Sequence, residues 1–201
     1  MTRNLNIVLA GVGGQGTLVA GKILGNVARI MDLDVKVSEV HGMSQRGGSV
    51  ITYVRMGEKV HSPIVEENSA DFVLAFEQLE SLRWLPLLKK EGKILLSTKM
   101  IMPVTVLSGD IEYPENIDEK ILRTGVPKEN LVIIPAYDIA SDAGNVKAQN
   151  TVMIGAMSIY TGIGKEVWKD ALDKTFPGKL RRINTDAFSG GREFSEKGFK
   201  I

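Results

Sequence analysis

The spacing of apolar and polar positions changes along the chain, and the changes mark its elements. Residues 6–10 (NIVLA) form a short unbroken apolar run, the pattern of a strand buried on both faces. From Thr17 to Met31 the positions Leu18, Ile23, Leu24, Val27, Ile30 and Met31 recur at helical spacing. Gly21 and Gly25 are expected to let that helix approach a sheet closely, at about 1 kcal/mol each relative to alanine. Residues 34–40 (DVKVSEV) alternate and predict a strand, as does the β-rich run 49–56 (SVITYVRM). A turn at Gly57-Glu58 followed by Lys59–His61 predicts that this second run folds back as a hairpin.

Further on, residues 72–76 (FVLAF) read as a buried strand and Glu77–Lys90 as leucine-rich helix, kinked or restarted at Pro86. Strands are predicted at 93–97 (KILLS) and 131–135 (LVIIP), flanking a stretch rich in Pro, Glu, Asp and Asn. Helices follow at Val146–Tyr160, Lys165–Phe176 and Leu180–Phe188, and the polar tail after Ser189 is expected to be mobile or ordered only against a partner. Strands alternating with helices predict an α/β fold: a single Rossmann-like domain over residues 1–201, with a mostly parallel sheet and a local antiparallel hairpin between Asp34 and His61.

The first strand runs into GVGGQG at residues 11–16, which satisfies the G-x-G-x-x-G spacing between a strand and a helix. Gly11 permits the turn, Gly13 removes a side chain where a phosphate could sit, and Gly16 lets helix and strand pack. The helix N-terminus then offers free N–H groups to an anion. Glu39 stands 23 residues beyond Gly16, where a ribose-binding carboxylate is expected. A nicotinamide-dependent dehydrogenase and a glycine-rich packing turn that binds nothing both satisfy these facts. Lys22 does not directly follow the loop, so the triphosphatase P-loop is excluded.

Composition narrows the chemistry. The 201 residues contain no cysteine and two histidines, so there is no disulfide, no thiolate ligand for an iron–sulfur cluster, and little material for a multi-histidine metal site. A net charge of +1 shows no commitment to nucleic acid or to an anionic membrane. The apolar runs predict neither a signal peptide nor a membrane span, and a cytoplasmic location is expected.

Residues 38–49 (SEVHGMSQRGGS) are the most informative. Instead of a crossover helix, Gly42, Gly47 and Gly48 surround His41, Ser44, Gln45 and Arg46, a donor-rich loop able to close over a ligand or dock on a partner. Glu39, His41 and Ser44 lack the strained G-x-S-x-G setting of a hydrolase nucleophile. Trp84 and Trp168 are expected in the core or an interface, and Met100, Met102, Met153 and Met157 as packing residues. Lys179, Arg181 and Arg182 read as a solvated face.

GVGGQG at 11–16 followed by EVHGMSQRGGSV at 39–50 resembles the gamma-type subunit of 2-oxoacid:ferredoxin oxidoreductases. Ser62-Pro63, Ala70-Asp71 leading to Glu77, and Asn184 with Ala187-Phe188 extend the resemblance over nearly the whole chain. It is most similar to the small (beta) subunit of the indolepyruvate branch. The resemblance implies a subunit with no turnover of its own, in a complex that decarboxylates a 2-oxoacid to an acyl-coenzyme A and reduces ferredoxin. It places thiamine diphosphate, Mg²⁺ and iron–sulfur clusters on a larger partner subunit, with ferredoxin met only indirectly and a homodimer allowed for the isolated chain. It also implies that Gly11, Gly13, Gly14, Gln15, Gly16, Thr17, His41, Gly42, Ser44, Gln45, Arg46, Gly47 and Gly48 line a site that covers the partner's active centre and helps position coenzyme A.

Overall fold

The computed structural model describes residues 4–42 and 47–198. Six strands, β1 (Leu5–Val12), β2 (Asp34–His41), β3 (Ser49–Gly57), β4 (Ala70–Ala75), β5 (Leu88–Ser97) and β6 (Leu131–Ile134), form one sheet in the order β2-β3-β1-β4-β5-β6. β1, β4, β5 and β6 run parallel, while β3 is antiparallel to both of its neighbours, β1 and β2.

Alternation of side chains across the pleat divides the core in two. On one face, Ile7 and Leu9 of β1, Leu74 of β4 and Leu95 of β5 pack beneath α1 (Thr17–Ile30), α5 (Ala136–Asp142), α6 (Gln149–Ser158), α7 (Lys165–Thr175) and α8 (Lys179–Glu196). On the other, Val8, Val73, Ile94 and Leu96 meet α2 (Gln78–Trp84) and α4 (Ile117–Arg123). Trp168 is wholly buried and lies 5.7 Å from the Phe188 ring. A short helix, α3 (Val104–Leu107), buries none of its residues.

The local antiparallel hairpin expected between Asp34 and His61 is present, made by β2 and β3 with Glu39 opposite Thr52, but Lys59–His61 form no strand. Pairing is decided across the sheet, where β3 satisfies β1 and β2 together, and a local turn signal does not report it. Residues 88–90 belong to β5, because α2 stops at Trp84 and a 3₁₀ turn over Leu85–Leu87, containing Pro86, leads directly into the strand.

The tail after Ser189 is helical to Glu196. At Gly191 a Cβ would lie 2.0 Å from the Val152 carbonyl oxygen, and at Gly155 one would lie 2.1 Å from that of Phe188. The two glycines are therefore the notches at which α6 and α8 cross, and close packing offsets their poor helix propensity. Gly21 does approach the sheet, with its Cβ position 3.3 Å from Thr52 and Val37, but Gly25 faces open space. Met153 and Met157 are buried, whereas Met100 and Met102 are exposed. Arg181 and Arg182 lie on the surface, the former paired with Asp173. Among the described residues no helix is long and apolar enough to cross a membrane.

Candidate functional site

The C-terminal end of β1, the N-terminus of α1 and the far end of the β2–β3 hairpin enclose a cleft of about 380 Å³. Gly13, Gly14, Gly16, Thr17, Leu18, Glu39, His41 and Val50 line it. The sequence-derived site residues thus converge from two separate segments. Ser44, Gln45 and Arg46 lie outside the described residues.

Each glycine of the loop meets a different demand. Gly14 has φ +101° and its missing side chain would point into open space, so a ligand atom can approach its backbone. Gly16 caps α1 in the left-handed region, φ +79°, and a Cβ there would collide with the Asn150 amide at 2.5 Å. Gly11 is a packing position, facing the Gln15 and Phe76 side chains. Gly13 donates its N–H to the Gly48 carbonyl (2.9 Å), tying the loop to the start of β3. Gly42 and Gly47 are exposed, and Gly47 has φ +71°.

Gln15, expected among the ligand-binding residues, is turned inward. Its Oε1 accepts from the Val12 N–H (2.9 Å), and its Nε2 donates to the Phe76 carbonyl (2.8 Å). A buried amide with both ends used holds the turn in shape. Asn150, at the head of α6, does similar work from behind: its Nδ2 donates to the Gly16 carbonyl (2.9 Å) and its Oδ1 accepts from the Thr151 N–H. Thr151 continues the network by donating to Asn184 Oδ1 (2.7 Å). The only sequence signal for Asn150 is a polar residue at the head of an apolar helix.

No side chain caps the first turn of α1, and that turn contains no acidic residue. Its amide ends therefore face the cleft with the positive end of the helix dipole behind them. Glu39 supplies the nearest negative charge from β2, its Oε2 accepting from the hydroxyls of Thr17 and Thr52, both at 3.1 Å. β3 separates β2 from β1, yet the carboxylate still reaches the helix start. His41 is exposed, with Nδ1 3.0 Å from the Gly42 carbonyl. The arrangement can bind an anion at the amides and a hydroxyl donor at Glu39. Among the described residues, no group of three or more His, Asp or Glu side chains is placed to hold a metal ion.

The sequence profile of the family described as "Pyruvate ferredoxin/flavodoxin oxidoreductase" matches residues 6–194, nearly the whole chain. The chain belongs to the pyruvate ferredoxin/flavodoxin oxidoreductase family. Within that family it is 41% identical over 193 residues to indolepyruvate oxidoreductase subunit IorB of Thermococcus kodakarensis, covering 94% of this chain and 95% of the relative. The fold matches the gamma subunit of a keto/oxoacid ferredoxin oxidoreductase from Geobacter sulfurreducens with a TM-score of 0.70 at 23% identity, covering 96% and 99% of the two chains. It also matches a 2-oxoglutarate:ferredoxin oxidoreductase from Magnetococcus marinus, with 2-oxoglutarate, coenzyme A and succinyl-CoA bound, at a TM-score of 0.71 and 19% identity. That match covers all of this chain and 32% of the other, so the fold recurs there as one part of a longer polypeptide. These family matches give the nicotinamide-dehydrogenase reading no support.

Proposed function

We propose that this chain is the non-catalytic small subunit of a 2-oxoacid:ferredoxin oxidoreductase acting on indolepyruvate or a related arylpyruvate, and that its glycine cleft helps position coenzyme A. The observation carrying the coenzyme role is the uncapped N-terminus of α1, opening with the bare backbone of Gly14 into a cleft of about 380 Å³. Phosphate groups suit such amides, and Glu39 can accept a hydrogen bond from a ribose hydroxyl. The 41% identity to an indolepyruvate oxidoreductase subunit supports the choice of 2-oxoacid.

Thiamine diphosphate, Mg²⁺ and the iron–sulfur clusters belong in this reading to the larger subunit, which supplies decarboxylation and electron transfer. This chain has no cysteine with which to hold a cluster. Its own residues orient and enclose: Gln15 and Asn150 hold the glycine loop in shape, and His41 and Gly42 border the side of the cleft that faces the partner.

Leu18→Glu tests the coenzyme role cleanly. A glutamate in the first turn favours the helix, so folding is preserved, while its charge faces the expected phosphates. In the assembled complex the KM for coenzyme A should rise about tenfold or more, with the KM for the 2-oxoacid unchanged. Arg46→Ala should act in the same direction. Unchanged coenzyme A dependence in both variants would remove the role.

A further inference from the structure

Away from the cleft, one segment presents apolar side chains that the fold does not use. Between β5 and α4 the chain forms a lobe in which Met100, Met102, Val104, Leu107 and Ile111 are all exposed, Val104 at 79% and Leu107 at 72%. A cluster of this kind on a folded surface marks an interaction site. The lobe is firmly held at its base. Glu77, 1% exposed, accepts from the Ile101 N–H (3.0 Å) and the Tyr113 hydroxyl (2.6 Å) through the same oxygen. One buried carboxylate therefore gathers both ends of the lobe, and the apolar residues between them are presented outward on a fastened frame.

The charge around the lobe identifies what covers it. From Met100 to Glu119 the sequence holds five carboxylates and no lysine or arginine. Asp110, Glu112 and Glu115 are exposed and, among the described residues, have no ion-pair partner. Lys99, the preceding cation, is turned away over the Tyr137 ring, 4.5 Å from its centroid. Two such acidic lobes would repel one another, which disfavours a lobe-to-lobe contact between copies. The complementary surface is an apolar hollow rimmed by basic side chains.

We infer that the lobe at residues 100–113 is a docking element for the larger subunit of the complex, seated in an apolar hollow whose lysine and arginine rim meets Asp110, Glu112 and Glu115. The inference rests on the subunit reading above. Its position suits that role. The lobe follows β5 and the glycine loop follows β1, at the same end of a sheet in which only β4 lies between them, a separation of about 10 Å at two strand spacings. A partner seated on the lobe reaches the open side of the cleft.

The test measures the dissociation constant between this chain and the separately purified larger subunit of its complex, under anaerobic conditions. Val104→Asp with Leu107→Asp should weaken association about 30-fold or more. Asp110→Lys with Glu112→Lys and Glu115→Lys should weaken it about tenfold at low salt, the difference shrinking at about 0.5 M salt. Ile64→Asp, exposed near the opposite end of the sheet, should leave association unchanged. All of these positions are exposed, and unchanged thermal midpoints would show that the variants fold. Wild-type affinity in both lobe variants would overturn the inference while leaving the subunit reading intact, as would a lobe variant that only dissolves a homodimer. No association of the unaltered chain would overturn the subunit reading, and the inference with it.

Discussion

The glycine cleft and the 100–113 lobe stand at the same end of the sheet and are fastened by adjacent residues. Phe76 lends its carbonyl to Gln15 and so shapes the cleft, while Glu77 lends its carboxylate to Ile101 and Tyr113 and so shapes the lobe. In both, a buried polar side chain fastens the surface feature through its hydrogen bonds. What they display is opposite. The cleft presents amides and a carboxylate, whereas the lobe presents hydrocarbon. A residue buried with all its hydrogen bonds used can thus be as necessary to a site as one that touches the ligand.

The comparison can be broken most forcefully at Glu77. Glu77→Ala strands the Ile101 N–H and the Tyr113 hydroxyl and removes the cap that accepts from the Glu80 N–H. Urea unfolding should report a loss of about 3 kcal/mol. Amide exchange at Ile101 should accelerate while that at Val12 holds. Equal acceleration at both would make cleft and lobe one cooperative unit.

Gln15→Ala is the mirror experiment. It frees the Val12 N–H and the Phe76 carbonyl and should cost about 2 kcal/mol, with exchange at Val12 rising and that at Ile101 unchanged.

Tyr113→Phe has the smallest expected effect, about 1 kcal/mol near neutral pH. It should also change the alkaline limb of the stability curve. Burial, and then the hydrogen bond to Glu77, push the Tyr113 hydroxyl well above the ordinary phenol value. The folded state therefore holds a proton that the unfolded state releases near pH 10, and stability falls as pH rises above that value. Phenylalanine removes this contribution, so the variant's decline above pH 10 should be shallower.

Much of the cleft was legible because its signals are local. A strand, three spaced glycines and a helical period lie within some two dozen residues, although the side chains that Gly11 and Gly16 make room for, Phe76 and Asn150, come from far along the chain. Gly42, Gly47 and Gly48 were legible as loop positions from residue type, whereas His41 is the last residue of β2. The resemblance marked Glu77 without a role, since its partners lie 24 and 36 residues away. Gln15 reads as a ligand residue in the sequence because an amide in a glycine loop looks the same whether it turns inward or outward. In the fold, its bonds to the Val12 N–H and the Phe76 carbonyl hold it inward.

The sequence by itself determined the central runs of the strands, the helix that follows the glycine loop, the absence of thiolate chemistry and the family. Each depends on residue type or on spacing within one segment. Tertiary structure alone decided that β3 lies between β1 and β2, that α8 continues through Gly190 and Gly191, and that Met100, Val104 and Leu107 face outward. Those outcomes depend on which distant backbone is nearby to pair with, to pack against, or to leave a side chain uncovered, and an apolar residue carries the same pattern in a core as on a docking surface.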